Sequence, residues 1–181
     1  MKKILALVLC LMMAFCSCAF ATEENALVFD SALVEAIGLE GEFAAIEDFG
    51  LMFYCPTNFA MYEVTEEQAA AGVYATFAPE DLSFGMTLTY NMVQDGNGNI
   101  ITDLESLTAT YIASGFADAT ICTVNGLPAV TYSMPDAGLM ALAFMMENGA
   151  VLSFQIVPVL DEATLNTAYA IMSSIMPIQY A

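Results

Sequence analysis

The chain is 181 residues long and carries 21 Asp and Glu against 2 Lys and Arg, with no His, for a formal net charge of −19. Both cations are Lys2 and Lys3, so the rest of the chain has nothing with which to neutralise nucleic-acid phosphates or meet an anionic membrane surface. It also has no imidazole for a Ser-His-Asp triad and no lysine for a Schiff base, while an apolar fraction of 59% suffices for a packed core.

Lys2 and Lys3 precede the apolar run Ile4 to Phe15 and the small residues ending in Ala19-Phe20-Ala21, the three parts of a secretory signal peptide. Residues 1–21 are expected to be removed, and both lysines leave with Cys10, Cys16 and Cys18. Two alternatives stay open. Ile4 to Ala21 is close to the minimum length of an uncleaved anchor, and Cys18 is a candidate for lipid attachment, although Phe15 stands where such sites usually carry an aliphatic residue. All three place the protein outside the cytoplasm, secreted or associated with the cell envelope. Cys55 and Cys122 remain, and either form a single disulfide or stay as two buried thiols. A bridge would contribute up to about 4 kcal/mol by restricting the unfolded chain.

Residues 22–40 read as an N-terminal segment, solvated from Thr22 to Asn25, with a short helix from Ser31 to Ile37 closed by Gly38. A single domain, 41–181, follows. Strand patterns run from Phe43 to Glu47 and from Leu51 to Cys55, where Pro56 ends the ladder, with a shorter strand at Ala60 to Val64. Thr65 and Gln68 have the spacing of a capping box that opens a brief helix. Gly72 to Phe77 and Leu82 to Met92 form a hairpin across the turn at Pro79-Glu80-Asp81. Thr102 and Glu105 make a second capping box before Leu104, Leu107 and Tyr111 at helical spacing, and Gly115 ends that helix.

Ala119 to Val124, Leu127 to Ser133, Leu139 to Glu147 and Ala150 to Val157 then read as a four-strand antiparallel meander. Its two-residue turns fall at Asn125-Gly126 and Asn148-Gly149, pairs that permit positive φ. Leu152, Phe154 and Ile156 alternate with Val151, Ser153 and Gln155, which turns one set inward. Asp161 and Glu162 open a final helix, with Leu165, Ala168, Tyr169, Met172, Ile175 and Met176 as its apolar stripe and Pro177 as its stop. The expected fold is α+β: an antiparallel sheet made of the C-terminal meander plus the N-terminal strands, flanked by helices.

Phe43-Ala44-Ala45-Ile46, Leu51-Met52-Phe53-Tyr54-Cys55-Pro56, Asn125-Gly126-Leu127-Pro128-Ala129 with Tyr132, and Met172-Ser173-Ser174-Ile175 resemble, in kind and order, the PsbP and Mog-like fold. In particular they resemble small exported bacterial proteins of unknown function built on it. Members of that fold serve as accessory subunits or binding proteins, so the resemblance implies a binding or assembly role over catalysis, and no functional residue is carried over.

Asp95, Asn97 and Asn99, in Asp95-Gly96-Asn97-Gly98-Asn99, offer oxygens at alternate positions as a calcium loop does. The register departs from that pattern: Ile100 stands where glycine makes the turn and Ser106 where a bidentate Glu closes the site. A polar connection is the plainer reading, and a weak calcium contact the other. Adjacent acids such as Glu47-Asp48 point apart and sit at turns and helix starts, whereas a glycosidase needs carboxyls converging across a cleft. Tyr62, Tyr74, Tyr90 and Tyr132 offer rings for stacking, and Met172 with Met176 reads as core rather than a copper site.

These residues together point to an exported acidic binding or accessory protein without enzymatic activity or cofactor, whose partner is a protein or cell-surface component. A calcium-dependent protein is the alternative, and a carboxylate-based hydrolase the second. The unbalanced charge is expected to raise carboxylate pKa values by mutual repulsion, so that salt and mild acid stabilise the fold.

Overall fold

A computed structural model describes residues 25–116 and 118–179. The predicted leader, its cleavage site at Ala21 and the candidate attachment site Cys18 lie outside the described residues. In chain order the elements are β1 (Ala26–Leu27), α1 (Ser31–Ala36), β2 (Gly41–Ile46), a 3-10 turn (Glu47–Phe49), β3 (Leu51–Pro56), β4 (Phe59–Tyr62), α2 (Glu66–Ala70), β5 (Val73–Pro79) and β6 (Gly85–Asn91). There follow α3 (Leu104–Ala113), β7 (Thr120–Val124), β8 (Leu127–Met134), a second 3-10 turn (Pro135–Ala137), β9 (Leu139–Met145), β10 (Val151–Val157), α4 (Glu162–Ser173) and β11 (Met176–Pro177).

The meander forms as expected, β7 to β10 each antiparallel to the next, and the β5–β6 hairpin joins it through β6 against β10. With both ends added, the main sheet has the order β1-β7-β8-β9-β10-β6-β5-β4. Two features correct the expectation of one antiparallel sheet. β1 runs parallel to β7, with Ala26 opposite Thr123 and Leu27 opposite Val124, so the main sheet is mixed and segment 22–40 is built into the domain from Asn25 onward. β2 and β3 leave the main sheet altogether and form a three-stranded sheet with β11, in the order β11-β3-β2. Met176 and Pro177 therefore belong to a strand and not to the last helix, which ends at Ser173.

The small sheet and α4 cover one face of the main sheet. Phe53 of β3 and Ala168, Ile171 and Met172 of α4 share a core with Leu142, Leu152, Phe154 and Ile156. On the other face Ala141, Ala143 and Val151 pack with Leu107 of α3. The alternation in β10 thus reaches two cores: Val151 and Ser153 are buried as well as the predicted inward set. Leu165 and Tyr169, expected on the buried stripe of the last helix, are exposed, because its inner face runs through Ala168, Ile171 and Met172.

Local chemistry explains most of the turns. Asn125 and Gly126 both take positive φ, 48° and 83°, the two-residue hairpin turn expected of that pair. At the second Asn-Gly only Gly149 does, and Met146 N–H donates to Ala150 O at 2.8 Å across a three-residue connection. Thr65 and Gln68 form the predicted capping box. α3 is capped by Asp103 instead of Thr102, since the Asp103 carboxylate accepts from both the backbone N–H and the hydroxyl of Ser106, at 2.7 and 2.9 Å.

Cys55 and Cys122 are free thiols. They sit on strands of different sheets and pack as small apolar groups around the same core, the second of the two arrangements that the sequence leaves open. Burial pushes both thiols up, Cys122 to about 11, as a low-dielectric surrounding penalises the thiolate.

Candidate functional site

β2 is the edge of one sheet and β4 the edge of the other, and a cleft of about 170 Å³ is lined from both. Its apolar wall is Met61, Ala75, Phe77 and Leu88 from the main sheet facing Ala45 and Ile46 from β2, and its rim carries Glu47, Asp48 and Tyr74. Below the opening the sheets close on one another, with Phe53 and Phe77 meeting edge to face at 5.4 Å.

Tyr74 reaches this side through an irregularity in β5. The ladder with β6 pairs Val73 with Thr89 and Ala75 with Leu88, which leaves Tyr74 as an extra residue. A bulge of this kind lets consecutive residues depart from strict alternation, so Tyr74, Ala75 and Phe77 all line the cleft. Its hydroxyl donates to Asp48 Oδ2 at 2.6 Å, and its ring lies against Phe49 at 4.8 Å, with Tyr90 also against Phe49 at 4.9 Å. The hydrogen bond to the Asp48 carboxylate holds the Tyr74 phenol above its ordinary range, with smaller contributions from burial and from the charge itself. The 3-10 turn Glu47–Phe49 thereby locks to β5, while both acids stay exposed at the lip.

No cationic side chain exists among the described residues. Asp48 is met by a phenol, and among the described residues no carboxylate has a side-chain cation as partner. A second, wide depression of about 400 Å³ lies between Ile37 and the start of α4, lined by Glu162, Ala163, Asn166 and Thr167. It has no aromatic wall.

The candidate calcium residues fall elsewhere. Asp95, Asn97 and Asn99 lie between β6 and α3 and none of them lines the cleft. Asp95 Oδ1 accepts the backbone N–H groups of Asn97 and Asn99, each at 2.8 Å, and Oδ2 accepts from Asn99 Nδ2 at 3.0 Å. The carboxylate thus ties its own loop, and Asn97 and Asn99 face it as donors. Those bonds, the Asn99 side chain first, hold Asp95 down to about 2. Asp81, Asp103 and Asp161 are lowered in the same way by the backbone N–H groups of Ser83, Ser106 and Thr164. The direction is opposite to the one expected from mutual repulsion, because local donors act at bonding distance and the other carboxylates do not.

In the sequence Glu47-Asp48 reads as a solvated turn and Tyr74 as one ring among several. The run Glu-Asp-Phe-Gly does signal the turn, but the bulge that brings Tyr74 to Asp48 has no local signature. Among the described residues no helix is long and apolar enough to cross a membrane.

Neither a family model nor a curated protein matches the chain. Among solved structures the fold is similar to the solution structure of cyanobacterial PsbP (CyanoP) from Synechocystis sp. PCC 6803, with a TM-score of 0.53 and 14% identity over 76% of this chain and 92% of that one. The likeness establishes a PsbP-like α+β fold.

Proposed function

We propose that the protein is an exported, strongly acidic binding or accessory protein without enzymatic activity, and that it meets a protein or cell-surface partner at the cleft lined from both sheets. The observation that carries this reading is the cleft between β2 and β4, an apolar wall with a carboxylate rim beside two strand edges. Ligand pockets for small molecules usually enclose about 300–1,000 Å³; at about 170 Å³ this cleft suits a side chain of a larger partner. A hydrolase of this kind needs two carboxyls converging across a cleft, whereas the acids at this rim, Glu47 and Asp48, are neighbours in the chain and Asp48 is engaged by the Tyr74 hydroxyl. The Asp95 carboxylate on which the calcium alternative depends already accepts three hydrogen bonds from its own loop.

Photocrosslinking in the producing cells tests the reading. A reactive residue at Tyr62 on β4 is expected to capture a discrete partner that the same residue at Ile112 on α3 does not. Identical products from both positions, or none, would overturn it. Export is checked by sequencing the N-terminus of the recovered protein. A start at Thr22 is expected, a lipid-blocked Cys18 marks the attached form, and a cytoplasmic chain beginning at Met1 removes export from the proposal.

A further inference from the structure

We infer that the partner of this cleft is an extended, basic peptide segment that adds as a strand beside β4, with an apolar side chain in the cleft and Lys or Arg at its rim. The inference rests on the binding reading above and gives it a chemistry.

Three observations lead there. First, β4 pairs with β5 and with no other described strand, so one backbone edge of Phe59–Tyr62 is open. Edges in soluble proteins are commonly blunted by charge, proline or a bulge. Phe-Ala-Met-Tyr contains none of these, and Met61 is 71% exposed. The neighbouring edge β2 is less available, since its Phe43 is engaged edge to face by Phe29 at 5.4 Å.

Second, the side-chain positions suit an added strand. Met61 stands opposite Phe77 in the ladder, and both line the cleft with Leu88 beneath. Alternate side chains of an added strand fall on the Met61 face, where the cleft offers an apolar seat. Backbone hydrogen bonds then supply affinity and the seat supplies selectivity, as in other strand-addition complexes.

Third, charge decides between occupants. Glu47 and Asp48 rim the cleft and Glu63 follows β4 directly, all exposed, and the chain provides no side-chain cation beyond Lys3 to meet them. A second copy pairing through the same edge would bring its own carboxylates against these, which opposes association. A basic strand would neutralise them.

The test uses the purified protein and a short peptide of alternating Val and Lys, with fluorescence anisotropy as the readout. Saturable binding is expected, with at least about tenfold weakening for the same peptide N-methylated on alternate amides, for a Val–Glu peptide and for Met61→Lys. Asp48→Asn with Glu47→Gln is expected to weaken binding and flatten its salt dependence. Because Met61 is exposed, a melting temperature unchanged in Met61→Lys shows that loss of binding is not loss of fold. Equal binding of the N-methylated peptide or of a Gly–Lys peptide would overturn strand addition and leave only diffuse attraction. Sedimentation showing a dimer that Met61→Lys dissociates would assign the edge to a second copy and overturn the inference too. If crosslinking at Tyr62 finds a partner while the Val–Lys peptide does not bind, the chemistry fails and the binding reading stands; if both fail, both fall.

Discussion

Asn125 donates its side-chain Nδ2 to the carbonyl of Ser173 at 2.7 Å, across 48 residues of chain. The same nitrogen reaches Ile175 O at 2.8 Å, and Oδ1 accepts the backbone N–H of Phe29 at 3.2 Å. One turn residue therefore joins the β7–β8 hairpin to the passage from α4 into β11 and to the segment after β1. Its φ of 48° is tolerated by Asn better than by most residues.

Asn125→Gly keeps the turn and removes those three side-chain bonds, so its expected cost is about 3 kcal/mol, at about 1 kcal/mol for each bond. Asn125→Ala adds backbone strain and should cost more. Urea denaturation midpoints check the order wild type, Asn125→Gly, Asn125→Ala. A midpoint unchanged in the glycine variant would mean that the side-chain tether contributes nothing.

Gly41 is fixed by crowding. A Cβ there would lie 2.5 Å from Cys55 O and 2.7 Å from the Tyr54 ring, whose hydroxyl donates to Leu39 O at 3.1 Å. Gly41→Ala must push β2 away from β3 or displace Tyr54. It should cost about 1–3 kcal/mol, the usual penalty for overpacking, and should loosen the small sheet first. Faster amide exchange in β2 and β3 than in β8 and β9 is the expected signature, and a uniform change would contradict it.

Which parts of this arrangement could be read in advance follows from how far each signal reaches. Asn125-Gly126 announced its hairpin because a two-residue turn is decided by its own φ angles. Asn148-Gly149 has the same letters but takes a longer connection, set by where Met146 and Ala150 pair. Thr102 and Asp103 are neighbouring capping residues, and only the position of Ser106 chooses between them. The small sheet was not legible, because the Leu51–Pro56 pattern shows a strand without showing its partners, and Met176 continued a helical period that tertiary pairing broke. The cleft was hidden for the same reason: Tyr74 meets Asp48 only once the bulge and the packing of two sheets are given.

At alkaline pH three tyrosines and the Cys122 thiol bear on stability. Tyr74 is raised by its bond to Asp48, and Tyr111 and Tyr132 by burial between α3 and the main sheet. Cys122 is raised from 9.0 to about 11. A group raised in the folded state keeps its proton after the unfolded chain has lost it, so its stabilisation is complete below the unfolded pKa and is lost as pH rises through the folded one. Stability should decline from about pH 9 upward. Asp48→Asn removes the largest cause at Tyr74, so one phenolate absorbance step should move to lower pH; a titration curve identical to wild type would contradict the assigned cause.

At acid pH the direction reverses. Asp95, Asp103 and Asp161 are held down by loop and cap donors, Asp95 to about 2. A lowered carboxylate contributes stability above its unfolded pKa of about 4, and this is lost as pH falls through the folded value. Melting temperatures should therefore drop below about pH 4, with Asp103→Ala less sensitive there and less stable at neutral pH through loss of its cap. At neutral pH the unpaired carboxylates repel, and screening over about 10 Å at 0.1 M salt relieves this. Sodium and calcium at equal ionic strength should then raise the melting temperature alike. A saturable rise with calcium alone, abolished by Asp95→Ala, would place the metal at the Asp95 loop and would restore calcium dependence as the function.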